Sequence, residues 1–218
     1  MSIPGTVRNE GNLFDNEGLK HLEEANSIDE ATRRNQFEQI REHYDRRRGT
    51  LAENGSPDHV GYYFLGRALH VLGYTHSQSE PLPNEFGTVS YTLFESPEDF
   101  QNQLEGRGTS RFFAGAIGTI KVVAWDSDLD SGAEDSGPEH PAFELDDILR
   151  HTGLQWAILS NGKKWRLYHR NTAAMLNTFC EVNLGEIIET NDFESFKYFT
   201  GVFSKESIAS DAMRQILN

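Results

Sequence analysis

"LQWAILSNGKKWRLYHR", residues 154–170, is the stretch on which the fold reading turns. Two runs of apolar and aromatic residues flank Asn161-Gly162, the preferred pair for a type I′ turn, which predicts a two-stranded hairpin. Side chains alternate along a strand, so Lys164, Arg166, Tyr168 and Arg170 share one face and Trp165, Leu167 and His169 share the other. The apolar face requires packing. The other face, with Lys163, is the densest basic and aromatic surface in the second half of the chain. It reads either as a phosphate-contacting surface for DNA or as the solvated side of an outer strand.

Working outward, "TVSYTLFES" (88–96) predicts a strand, and Ser96-Pro97 caps a short helix running through Leu104. "RFFAGAI" (111–117) and "TIKVVAW" (119–125) predict two adjacent strands joined at Gly118. "PAFELDDILRHTG" (141–153) predicts a helix starting at Pro141 and stopping at Gly153, and "NTFCEVNL" (177–184) a further strand. Upstream, "SIDEATRRNQFEQIREHYDRRR" begins with a Ser27/Glu30 capping box and ends at Arg46, Arg47 and Arg48, which suit a helix C-terminus. "HVGYYFLGRALHVLGY" follows as a helix with Phe64, Leu65, Leu69 and Leu72 on its apolar face and Gly73 as terminator. Helices close the chain. The pattern predicts an α/β (α+β) layered fold: an N-terminal helical segment (1–56), an α/β core (57–183), and C-terminal helices (184–218) that pack on the core or lead to a further domain.

The formal net charge is −14, with 34 acidic residues against 20 basic ones, of which only six are Lys. The acids are spread along the chain and not gathered in a tail, which points to a halophilic protein adapted to a salty cytoplasm. No apolar run approaches the ~20 residues that cross a bilayer, so no membrane association is expected. Cys180, the lone cysteine, excludes an internal disulfide or a multi-cysteine zinc site. There is no P-loop, no G-x-G-x-x-G, no H-E-x-x-H and no G-x-S-x-G. The dispersed histidines, His59, His70, His151 and His169 among them, read as hydrogen-bonded side chains. Asp126, Asp128 and Asp130 imitate the start of a calcium loop, but Gly132 falls one place late and Gly137 stands where a bidentate Glu is needed.

"ILRHTGLQWAILSNGKKWRLYHR" resembles the end of the N-terminal nuclease domain of type IIG restriction–modification enzymes, where the pattern reads roughly "TG-x-x-WGILTNG-x-x-WRLY"; type I restriction subunits carry a looser version. "FLGRALHVLGY", "SYTLF", "WDSDLD", "PAFELDDIL", "EVNLGEII" and "FKYFTGVFS" are similar to successive segments of that domain, so the likeness runs from about Leu13 to the end. It implies the PD-(D/E)xK restriction-endonuclease-like fold, a mixed central sheet flanked by helices. It also implies either a stand-alone relative or the front of a longer protein, with a methyltransferase domain or subunit and DNA as partners. In that family an Asp on one strand and a Glu and Lys two apart on the next hold Mg²⁺ and position the nucleophile.

Carried over by position, the Asp falls on Ser90, the Glu on Lys121, the Lys on Val123, and a supporting helix Gln on Glu144. Every catalytic position departs from the pattern. An ammonium at position 121 would repel a divalent cation and is placed to pair with Glu144. The resemblance therefore implies a catalytically inactive pseudo-nuclease, without a cofactor, kept for DNA or partner contact in restriction–modification or phage defence. Two alternatives stay open. One is an active nuclease with a rearranged Mg²⁺ site of Asp126, Asp128 and Glu144, in which Lys163 or Lys164 replaces the lost Lys. The other is a structural interaction module that never touches DNA.

Overall fold

The computed structural model describes residues 3–25, 28–131 and 140–217, and for residues 23–25 the backbone only. Among the described residues, seven strands form one mixed sheet in the order β1-β7-β6-β5-β4-β3-β2. The strands are β1 (Val7–Glu10), β2 (Thr75–Pro81), β3 (Thr88–Phe94), β4 (Ala116–Val122), β5 (Trp156–Ser160), β6 (Lys164–His169) and β7 (Phe179–Asn183). All neighbours are antiparallel except β4 and β5, which run parallel. A parallel pair needs a crossover, and the chain between them carries α6 (Leu145–Thr152).

Two apolar clusters sit on opposite sides of the sheet. The larger is built from α1 (Asn16–Ala25), α2 (Glu30–Asn54), α3 (Pro57–Val60), α4 (Gly66–Val71), α7 (Leu184–Glu189), α8 (Phe193–Phe203), α9 (Lys205–Ala209) and α10 (Ala212–Gln215) against the strands. The smaller lies under α6, with the helix α5 (Pro97–Gln103) contributing Phe100 at its edge. The result is a mixed α/β fold with helices flanking a seven-stranded sheet.

Several elements form for reasons visible in the chain. Ser96 accepts a hydrogen bond from Asp99 N at 3.1 Å and so caps α5, with Pro97 in its first turn. Gly153 (φ 78°) ends α6 in the left-handed conformation, its N–H returning to Leu149 O. Phe64, Leu65, Leu69 and Leu72 are buried as the helical spacing requires.

Other expectations are corrected. The Ser27/Glu30 box falls partly outside the described residues; the N-cap is Asp29, which accepts from Thr32 N at 2.8 Å. α2 runs on past Arg46–Arg48 to Asn54, because Arg46 and Arg48 are satisfied along the helix by Glu42 and Asp45 and so mark no end. Between α3 and α4 the chain makes a π-turn, Gly61–Leu65. There the Gly61 carbonyl accepts both the Gly66 N–H and the Tyr91 hydroxyl, the latter at 2.7 Å, and a side-chain donor of this kind widens a helical ladder.

"RFFAG" is a 3₁₀ turn (Ser110–Gly115), not a strand: Phe112 and Phe113 are both buried, and the turn lets both point inward. α6 starts at Leu145, four residues after Pro141. The segment expected to be a helical N-terminus contributes β1, which pairs with β7, so residues 1–56 are not separate from the sheet.

The hairpin at 154–170 forms, but its turn is not type I′. Ser160 pairs with Trp165, leaving four residues between, and only Gly162 has positive φ (89°). The Asn161 side chain builds the loop, accepting from Lys163 N at 3.0 Å and Lys164 N at 2.8 Å. Nor is β6 an outer strand. It is the third strand in from the β1 edge, buried on both faces.

Gly162 separates two penalties. A Cβ there would lie 2.7 Å from Trp125 Cζ3, whereas at Gly153, also at positive φ, it would meet nothing within 4 Å. Gly153→Ala is expected to cost about 1 kcal/mol for backbone strain alone. Gly162→Ala is expected to cost at least about 2 kcal/mol more, read as the difference in urea unfolding free energy.

Candidate functional site

Ser90, Lys121 and Glu144 lie far apart in sequence and come together in the fold. Tyr91 pairs with Ile120 across the β3–β4 ladder, which puts Ser90 opposite Lys121. Ser90 Oγ accepts a hydrogen bond from Val122 N at 3.0 Å. Lys121 Nζ donates to Glu144 Oε2 at 2.5 Å, so the lysine–glutamate pairing expected from charge is present. Glu144 reaches it from the turn just before α6. Val123 lies past the strand end, its N–H donating to Ser160 O at 3.0 Å. Chemically the arrangement holds an ammonium against one carboxylate, with a hydroxyl committed to the sheet. It lacks the two converging carboxylates by which such strand-borne sites hold a divalent cation.

The three aspartates do separate work and do not converge. Asp126 pairs with Lys163 Nζ at 3.0 Å. Asp128 accepts from Asp130 N at 3.0 Å and so folds its own turn. Asp130 accepts from Arg166 at 2.5 Å and from Arg8 at 2.9 Å. Among the described residues, no group of three or more His, Cys, Asp or Glu is placed to hold a metal. The rearranged set of Asp126, Asp128 and Glu144 is thus not assembled here, and Lys163 and Glu144 are each engaged elsewhere. The first part of the loop is pinned to the sheet and not a free solvated strap: Leu129 is buried, and Asn161 Nδ2 donates to Ser127 O at 2.9 Å.

The basic hairpin face is also reassigned. Lys164, Arg166 and Tyr168 do share a side, but Arg166 and Tyr168 are fully buried and cannot meet a phosphate. Burial pushes the Tyr168 phenol up to about 12. Arg170 donates to Gly153 O at 3.2 Å at the far end of the strand. Lys163 stays over the Trp125 ring, 5.2 Å from its centroid. Lys164 makes no ion pair among the described residues.

Arg166 instead centres an ion cluster that the sequence did not reveal. Its Nε donates to Glu181, which faces it across β6–β7, and its Nη1 to Leu129 O at 2.5 Å. The guanidinium lies 4.2 Å from the Phe179 ring centroid. Arg8, from β1, reaches both Asp130 and Glu181. Burial works against the Arg166 charge, but Glu181 first, with Tyr168 and Asp130, together outweigh it and raise the guanidinium pKa. Burial alone would raise the Asp130 pKa. The Arg166 charge, and the hydrogen bonds from Arg166 and Arg8, bring it below the usual carboxylate range. A signal existed in "FCEVN", where Glu181 interrupts an apolar strand. It pointed nowhere while β1 was unrecognised.

No protein-family model, no curated protein and no solved structure matches this chain.

Removing one partner of a buried pair strands the other charge, so Glu181→Gln is expected to lower unfolding free energy by about 3–5 kcal/mol. Lys121→Met removes a pair whose Glu144 side chain is 67% exposed and is expected to cost no more than about 1 kcal/mol. The pH dependence follows from Asp130. Its pKa is depressed in the fold, so its contribution is complete above the unfolded value of ~3.9 and is lost as pH falls through the folded one. Asp130→Asn is therefore expected to flatten the loss of stability below ~pH 4, measured as urea midpoints across the acid range.

Proposed function

We propose that this chain is a restriction-endonuclease-like domain of a restriction–modification or phage-defence protein, catalytically inert, serving as a contact module. The reading rests on one observation. Positions 90, 121 and 144 were assigned from likeness alone, and they meet on adjacent strands and the turn before α6, as a strand-borne metal site requires. The mixed α/β sheet is compatible with that fold. At the meeting point the metal ligands are replaced by a hydroxyl and an ammonium, and Lys121 occupies a cation's place against Glu144.

DNA and a methyltransferase domain or subunit are the two contacts this reading allows. Burial of Arg166 and Tyr168 and the engagement of Lys163 favour the protein partner, since little of the basic hairpin is left for phosphate. The halophilic, cytoplasmic setting belongs to the same proposal, and the described residues include no helix long and apolar enough to cross a membrane.

Calorimetry with Mn²⁺ and a plasmid-cleavage assay test the reading. The unaltered chain is expected to give no binding heat and no cleavage. Ser90→Asp combined with Lys121→Glu is expected to create a single Mn²⁺ site, because the two carboxylates would face each other across the ladder. A folded double variant that takes up no Mn²⁺ sinks the nuclease-like assignment. Metal-dependent cleavage by the unaltered chain, abolished by Glu144→Gln, sinks the inert one. Retention of plasmid DNA at low salt, weakened by Lys164→Glu, would move the contact from protein to DNA.

A further inference from the structure

Between β1, β6, β7 and the turn joining β6 to β7 lies a cleft of about 510 Å³ that shares no residue with the Ser90–Lys121–Glu144 site. Its lining combines the charged Arg8, Asp130 and Arg166 with Ala174, Met175 and Leu176. His140 also lines it, with 5% of its surface exposed. The His140 Nδ1 accepts from Ala142 N at 3.0 Å, which fixes the proton on Nε2. Burial first, and the Arg166 charge second, hold the ring neutral. Its Nε2–H has no partner among the described residues, and the ring is part of the cleft wall.

The charges of the cleft select against ions. Arg8 and Arg166 are balanced by Asp130 and Glu181, and Glu10 adds a further carboxylate at the rim. An anion entering here would compete with three carboxylates, and a cation would face two guanidinium groups. A neutral ligand avoids both costs. It needs an acceptor for the His140 donor, a donor for the outward lone pairs of Asp130 or Glu10, and a flat apolar surface for Met175, which is 60% exposed.

The geometry points to a binding site for a neutral, planar heterocycle of the nucleobase class that carries a ring or carbonyl acceptor beside an exocyclic amine. The volume accommodates a nucleoside and lies in the usual range for small-molecule sites.

Adenosine, guanosine and cytidine, titrated singly by calorimetry, are the probes. At least one is expected to bind with a Kd of about 1 mM or tighter. His140→Phe, which keeps the ring and removes the donor, is expected to weaken it about tenfold. Met175→Asp, at an exposed position that leaves the core intact, is expected to abolish binding. Lys121→Met is expected to leave it unchanged. Failure of all three nucleosides overturns the proposal, as does unaltered affinity in folded His140→Phe or Met175→Asp. Competition by millimolar inorganic phosphate overturns the neutral class in favour of an anion.

Discussion

A guanidinium sealed inside a β-sheet sets the terms for everything around it. Arg166 sits in β6 with its side chain fully buried, and the charge survives there only if carboxylates and carbonyls replace the lost water. That demand reaches three pieces of chain. β7 must place Glu181 directly opposite, which fixes the β6–β7 register. The loop after β4 must bring Leu129 O and Asp130 across the sheet. β1 must arrive with Arg8 to share the two carboxylates, because together they exceed the charge of one arginine. A one-residue slip of β7 would turn Glu181 to the opposite face and leave Arg166 facing Cys180 or Val182.

The same constraint explains why an acid-rich loop does not behave as a solvated one. Asp126 and Asp130 are each held by a cation rooted in the hairpin, Lys163 at its turn and Arg166 within its second strand. The Asn161 side chain holds Ser127 between them. In a chain with 34 acidic residues and 20 basic ones, a cation placed beside the sheet acquires an acid partner more readily than an acid acquires a metal. Lys121 and Glu144 repeat the pattern at the start of α6.

What could be read from the chain was local, and what could not depended on distant partners. Gly153 announced the end of α6, and Ser96 the start of α5, because caps are decided within a turn. The hairpin was legible from its apolar alternation. Its turn type was not, since the Asn161 side chain, and not a positive φ at that residue, carries the loop. β2, "THSQSEP", hides its strand character because only Ser77 and Glu80 are buried along it. Arg166 and Tyr168 were placed on the correct side of β6, but alternation says which residues share a face and not whether that face meets solvent or a second core. Family likeness placed Lys121 and Glu144 and their charges then anticipated the pair, whereas His140 had no sequence signal, its ring being oriented by the backbone N–H of Ala142.

On the nuclease-like reading, the substitution at position 90 has a structural logic beyond loss of activity. An Asp there faces a metal, and without one it would confront the Glu144 side of the sheet as an uncompensated carboxylate. Ser90 carries no charge, and its hydroxyl accepts the Val122 N–H, reinforcing the β3–β4 edge where the strand runs out. Lys121 supplies the positive charge that Glu144 would otherwise lack. The two replacements are therefore coupled: each removes a need for the cation that the other would have left standing. On that reading, a scaffold altered at only one of the two positions would keep an uncompensated carboxylate beside the sheet, so the two replacements act as a unit.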